Sequence, residues 1–69
     1  MKIMRKYWCI YFKGDEGSEP VISCPYGLNV SESMDFAWDK LDRIIDPEST
    51  EAFELVQIKM FMEEGELHV

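Results

Sequence analysis

The sequence predicts an α+β domain: a small antiparallel sheet of three strands with one amphipathic helix on one face, in the order ββαβ. Three observations predict it. An apolar, β-branched and aromatic run at Ile3 to Lys13 is followed by an acidic glycine-flanked cluster and a second short run. A single stripe of helical period follows between Met34 and Ile45. An alternating segment comes after Pro47. With 69 residues the chain makes one domain, 1–69. A domain of that size holds one helix layer on one sheet and no large internal substrate cavity.

In the first segment, Met4, Trp8, Ile10 and Phe12 share one face, and Ile3, Tyr7, Cys9 and Tyr11 share the other. Both faces are largely apolar, which predicts a central strand. Gly14-Asp15-Glu16-Gly17-Ser18-Glu19 is a turn cluster, and Pro20 to Tyr26 predicts a second strand. Pro25 cannot donate to a ladder, so this strand belongs at an edge. Pairing Lys13 with Pro20 across the turn sets Cys9 opposite Cys24, Tyr7 opposite Tyr26 and Tyr11 opposite Ile22. Opposed cysteines come close enough to bridge, although a reducing compartment keeps them as thiols.

Gly27 to Val30 connects to the helix, with Ser31 as the expected N-cap and Glu32 and Asp35 favouring the positive end of the dipole. Met34, Ala37, Trp38, Leu41, Ile44 and Ile45 make the core-facing stripe. Pro47 ends the helix, because the residue before proline avoids the α region. Glu48 to Glu51 is a loop. Ala52 to Met62 also fits a helix through Phe53, Val56 and Met60, but alternation favours a strand, with Val56, Ile58, Met60 and Met62 on one face and Phe53, Leu55 and Phe61 on the other. Glu63-Glu64-Gly65-Glu66 is expected to turn, and Leu67 to Val69 to return as a short fourth strand or fray.

The composition is globular rather than disordered: 46% of residues are hydrophobic and 13% aromatic. Fourteen carboxylates against 7 basic side chains leave a net charge of −7. That balance argues against direct binding of nucleic acid, whose phosphates need a positive surface. It suits a basic partner, since opposite fields speed encounter. No segment approaches the ~20 apolar residues of a membrane-spanning helix. The apolar run at Tyr7 to Phe12 is too short and too rich in Tyr and Trp for a signal peptide, so a cytoplasmic location is expected.

Catalytic constellations are weak, and no enzyme activity or cofactor is expected. The only histidine, His68, lies one residue from the end of the sequence, where a nucleophile and base pair would lack rigid support. No glycine-rich phosphate loop is present. The Glu63, Glu64, Glu66 and His68 tail has hard-ligand character but lacks the order of a calcium loop, and no cysteine pair has zinc spacing, so no metal is expected.

The helix carries the functional expectation. Asp35, Asp39, Asp42 and Asp46 follow i, i+4, i+7, i+11 and form a ridge about 16 Å long beside the core stripe, with Glu32 adjacent. Like charges at that spacing repel, and aspartate is a weak helix former, so the ridge opposes the helix it sits on. Lys40 and Arg43 neutralise part of it. Phe36 falls almost opposite the stripe and is expected to stand in solvent as an apolar anchor. A row of short carboxylates on a rigid rod can occupy the sites of phosphates in a basic groove. Asp15, Glu16 and Glu19 of the turn would assist. The partner expected is a basic, nucleic-acid-binding protein, met by nucleic-acid mimicry. The alternative is a homodimeric structural or adaptor subunit acting through the uncovered sheet face, with Tyr7, Tyr11, Phe53 and Phe61 as the contact residues and the acids serving solubility.

In size, acidity and ββαβ plan the chain resembles small phage-encoded proteins that block host machinery, such as inhibitors of CRISPR effectors or of DNA-repair enzymes. The resemblance covers the whole chain in outline and rests on no residue signature. It implies an inhibitor or decoy, and it transfers no site residues.

Overall fold

Two strands of unequal reach set the shape of the molecule. The computed structural model describes residues 2–66, which form β1 (Lys2–Gly14), β2 (Val21–Ser23), α1 (Val30–Ile44) and β3 (Phe53–Glu66). The sheet is antiparallel in the order β2-β1-β3, so β1 is central and the short β2 lies at an edge, as the sequence predicts. Among the described residues the backbone of α1 lies close to β1 and β2 and not to β3. The far halves of β1 and β3 therefore run on as a two-stranded ribbon, and the molecule measures 48 × 20 × 18 Å.

β3 is longer than expected. Glu63-Glu64-Gly65-Glu66 does not turn but continues the ladder opposite Arg5, Met4, Ile3 and Lys2. Arg5 lies opposite Glu63 in the register, and Lys2 Nζ reaches Glu64 at 3.5 Å. Such exposed pairs add a few tenths of a kcal/mol each, enough to favour pairing over fraying. The expectation for Leu67 to Val69 and for His68 falls outside the described residues.

The β1–β2 register is one residue off the expected one: Cys9 faces Ser23, Ile10 faces Ile22 and Tyr11 faces Val21. The turn is tighter than a Lys13–Pro20 pairing allows. Gly14 N–H donates to Ser18 at 2.7 Å, Phe12 N–H donates to Pro20 at 3.0 Å, and Gly17 takes φ +103°. Only glycine adopts that φ without strain. A one-residue slip moves side chains to the other face. Cys24 thus joins the core face with Ile10, Phe12 and Ile22, whereas Cys9 shares the odd-numbered face of β1, and both thiols are free.

A β-bulge between Tyr11 and Phe12 of the β1–β3 ladder corrects a second expectation. Tyr11 pairs with Gln57 but Phe12 pairs with Leu55, leaving Val56 as the extra residue. The bulge reverses the alternation. Phe53 and Leu55 pack on the core with Ile58, while Phe61 stays on the face away from the helix, opposite Tyr7.

The helix begins earlier than expected. Asn29, not Ser31, is the N-cap: its side chain accepts from Glu32 N–H at 2.8 Å, and Glu32 Oε1 accepts from Asn29 N–H at 3.1 Å. This reciprocal capping box satisfies two of the orphan amides of the first turn. The buried line is Ser33, Ala37 and Leu41. Phe36 and Trp38 sit at about 100° to either side of it. Trp38 packs edge-on against Phe12, ring centroids 4.7 Å apart, and remains 38% exposed. Phe36 is half-buried against the core, not in solvent, with Lys40 Nζ 5.8 Å from its ring centroid. Ile44, expected in the core stripe, is 57% exposed.

Candidate protein-binding surfaces

The helix rotation that draws Phe36 inward carries the aspartates outward. Measured from Ala37, Asp35, Asp39 and Asp42 fall within about 40° of the point opposite the buried line. They form the outer crest of the molecule, and all three are exposed. Their surroundings differ. Asp39 pairs with Arg43 at 3.1 Å, a solvated i,i+4 bridge. Asp46 lies past the helix end, where its Oδ1 accepts from Glu48 N–H at 2.9 Å. Glu32 serves the capping box. Asp35 and Asp42 make no hydrogen bond or ion pair among the described residues.

The turn acids are divided as well. Asp15 Oδ1 accepts from Ala52 N–H at 3.2 Å, and Asp15 N–H donates to Ala52 at 2.9 Å, so this residue clips the turn to the strand entering β3. The residue that sequence reasoning missed is Glu51. Its carboxylate accepts from Glu16 N–H at 2.9 Å, Ser18 N–H at 3.2 Å and the Ser18 hydroxyl at 2.7 Å. The Ser18 hydroxyl and these amides hold the Glu51 carboxyl below its ordinary range. Gly14 lies beneath the same carboxylate, where any side chain would collide with it.

Glu19 and Asp46, remote in sequence, meet across an open hollow. Pro20, Leu41, Ile44, Ile45 and Phe53 line its apolar floor. The hollow opens at the C-terminal end of α1, on the side of the buried line and not of the aspartate crest. Its signal in the sequence was the Ile44-Ile45-Asp46 step, where two aliphatic residues and an acid end a helix together.

The face away from the helix carries aromatics. Tyr7 stacks on Phe61 with centroids 5.6 Å apart and meets Tyr26 edge-on at 5.5 Å. Arg5 lies over the Tyr26 ring at 4.8 Å, and Lys59 over Tyr11 at 5.6 Å. The Tyr26 hydroxyl donates to Glu63, which together with the carboxylate's charge raises the phenol above its ordinary pKa. Tyr7, Tyr11 and Phe61 share this face, with Tyr7 and Phe61 in contact and Tyr11 farther along β1. Phe53 does not join them, because the bulge turns it to the core side.

Charge is segregated along the long axis. The ribbon, residues 2–8 and 59–66, holds Lys2, Arg5, Lys6 and Lys59 against Glu63, Glu64 and Glu66, a net +1. The remainder, with the helix and the turns, holds eleven carboxylates against Lys13, Lys40 and Arg43, a net −8. Among the described residues no group of three or more His, Cys, Asp or Glu is placed to hold a metal ion, and no helix is long and apolar enough to cross a membrane. Comparison with protein-family models, with curated proteins and with solved structures finds no match to this chain.

Proposed function

We propose that the protein is a non-catalytic binding module that occupies a basic, nucleic-acid-binding surface of another protein and so acts as an inhibitor or decoy. The observation that carries this reading is the segregation of charge: eleven of the 14 carboxylates lie on the helical end, with Asp35, Asp39 and Asp42 on its outermost line. A field of that kind steers a basic partner to one end of the molecule. Among the described residues Asp35 and Asp42 have no partner to give up, and the acid-rimmed hollow at Glu19 and Asp46 receives the aliphatic stem of an arginine or lysine. Glu32, Asp15 and Phe36 support the surface from within the fold rather than touching the partner.

The reading predicts association that weakens steeply with salt. Replacing Asp35, Asp39 and Asp42 together by Asn removes the crest and leaves the core untouched, and it should weaken binding by about tenfold or more. Unchanged binding by a variant that retains the wild-type circular dichroism spectrum defeats the proposal. The adaptor reading has its own observation, the Tyr7, Tyr26 and Phe61 cluster on the uncovered face. It predicts binding that survives high salt and fails on Phe61→Ala.

A further inference from the structure

The two edges of the sheet are built differently. β2 is three residues long and flanked by Pro20 and Pro25, which blunts it against further pairing. β3 runs 14 residues without a proline, and among the described residues no element covers its outer side. Of its exposed apolar side chains, Met60 at 46%, Phe61 at 37% and Met62 at 50% lie where the helix no longer reaches, and Val56 sits at the bulge. From this contrast we propose that the outer edge of β3 pairs with the same edge of a second copy, joining two sheets into one of six strands.

The direction of the main-chain groups defines the contact. Trp8 C=O accepts from Cys24 N–H, and Phe12 N–H donates to Pro20, so even-numbered residues of β1 turn their polar groups toward β2. Odd-numbered residues of β1 therefore bond β3, through Tyr7 with Phe61 and Cys9 with Lys59. In β3 the N–H and C=O groups of Ile58, Met60, Met62 and Glu64 point outward and await a partner strand.

A two-fold axis perpendicular to the sheet keeps like faces together, so paired residue numbers must sum to an even value. A centre at Lys59 opposes two ammonium groups, and a centre at Met62 sets Phe61 and Met60 against carboxylates. A centre at Ile58 drives Phe61 against Leu55, which the bulge has turned to the other face. A centre at Phe61 sets Ile58 against Glu64. The centre at Met60 pairs Met60 with its copy, Ile58 with Met62 and Lys59 with the Phe61 ring, and it closes about six main-chain hydrogen bonds.

The self-complementary register selects a second copy over other occupants, and the charge distribution permits it. The ribbons meet at their nearly neutral ends, and the acidic helices stand about four strand spacings apart, near 19 Å, where salt screens their repulsion. The inference does not depend on what the acidic end binds.

Sedimentation equilibrium of the whole chain tests it, alongside Met60→Pro and Met60→Lys. The proline removes an outward N–H and spares the β1–β3 ladder. The lysine leaves the main chain intact and opposes two like charges on the axis. A wild-type dimer that each variant weakens by about tenfold or more, with the strand signal of circular dichroism kept by Met60→Lys, is the result expected. A wild-type monomer at high micromolar concentration overturns the proposal, and so does a dimer that Met60→Lys leaves unchanged.

Discussion

Glu51 takes a 2.7 Å hydrogen bond from the Ser18 hydroxyl across 33 residues of chain, and with it the loop before β3 closes over the β1–β2 turn. Three donors converge on one carboxylate there, and that carboxylate is solvated and ionised rather than buried.

The pH dependence of this clasp follows from the direction of the Glu51 shift. Its folded pKa lies below the ordinary 4.5. Its contribution to stability is therefore complete above that value and is lost as pH falls through the folded pKa. Glu51→Gln should lower the melting temperature at neutral pH and flatten its decline on acidification below about pH 4.5. Thermal melts of both proteins between neutral and acid pH measure this.

Ser33 is fully buried, and its hydroxyl has no hydrogen-bond partner among the described residues. Removing an unsatisfied buried hydroxyl recovers about 1–3 kcal/mol of desolvation, and alanine is also the better helix former. Ser33→Ala should raise the midpoint of urea unfolding without changing its slope.

Phe36 flanks the buried line of α1, where its ring covers part of the core. Phe36→Ala should cost about 1 kcal/mol of stability, the transfer value of a half-buried ring. A ring standing free in solvent would cost nothing on removal, so equilibrium unfolding separates the two positions.

The two thiols should react unequally. Cys9 is half-buried and Cys24 buried, and burial, the largest influence on it, raises the Cys24 pKa. In the native protein one thiol should titrate quickly and the second slowly, and both should react at once in denaturant. No titratable thiol in denaturant until a reductant is added, and two after it, would mean that the pair is bridged.

The fold was legible where a pattern lies within one element. The apolar faces of residues 3–13 mark a central strand, Pro25 marks an edge, and the period from Met34 to Ile45 marks the helix. Register and strand faces were not legible because they depend on contacts between elements. Register depended on how tightly Gly14 to Ser18 closes, which the distant Glu51 helps decide. The sorting of Phe53 from Phe61 depended on a single extra residue, Val56. Ser33 of the buried line carries no apolar signal, so the apolar period alone points toward Met34, Ile44 and Ile45 and puts Phe36 on the solvent side. The same error placed the aspartates at the flank of the helix, whereas they form its outer crest.

The central claim is that this crest meets a basic, nucleic-acid-binding surface. The most direct measurement is quantitative affinity capture from the native host on immobilised wild type and on Asp35→Asn/Asp39→Asn/Asp42→Asn, with added duplex DNA as competitor. The account predicts a basic protein retained by the wild type, depleted about tenfold or more on the variant, and displaced by the DNA. A partner retained equally by both chains and indifferent to DNA would contradict it.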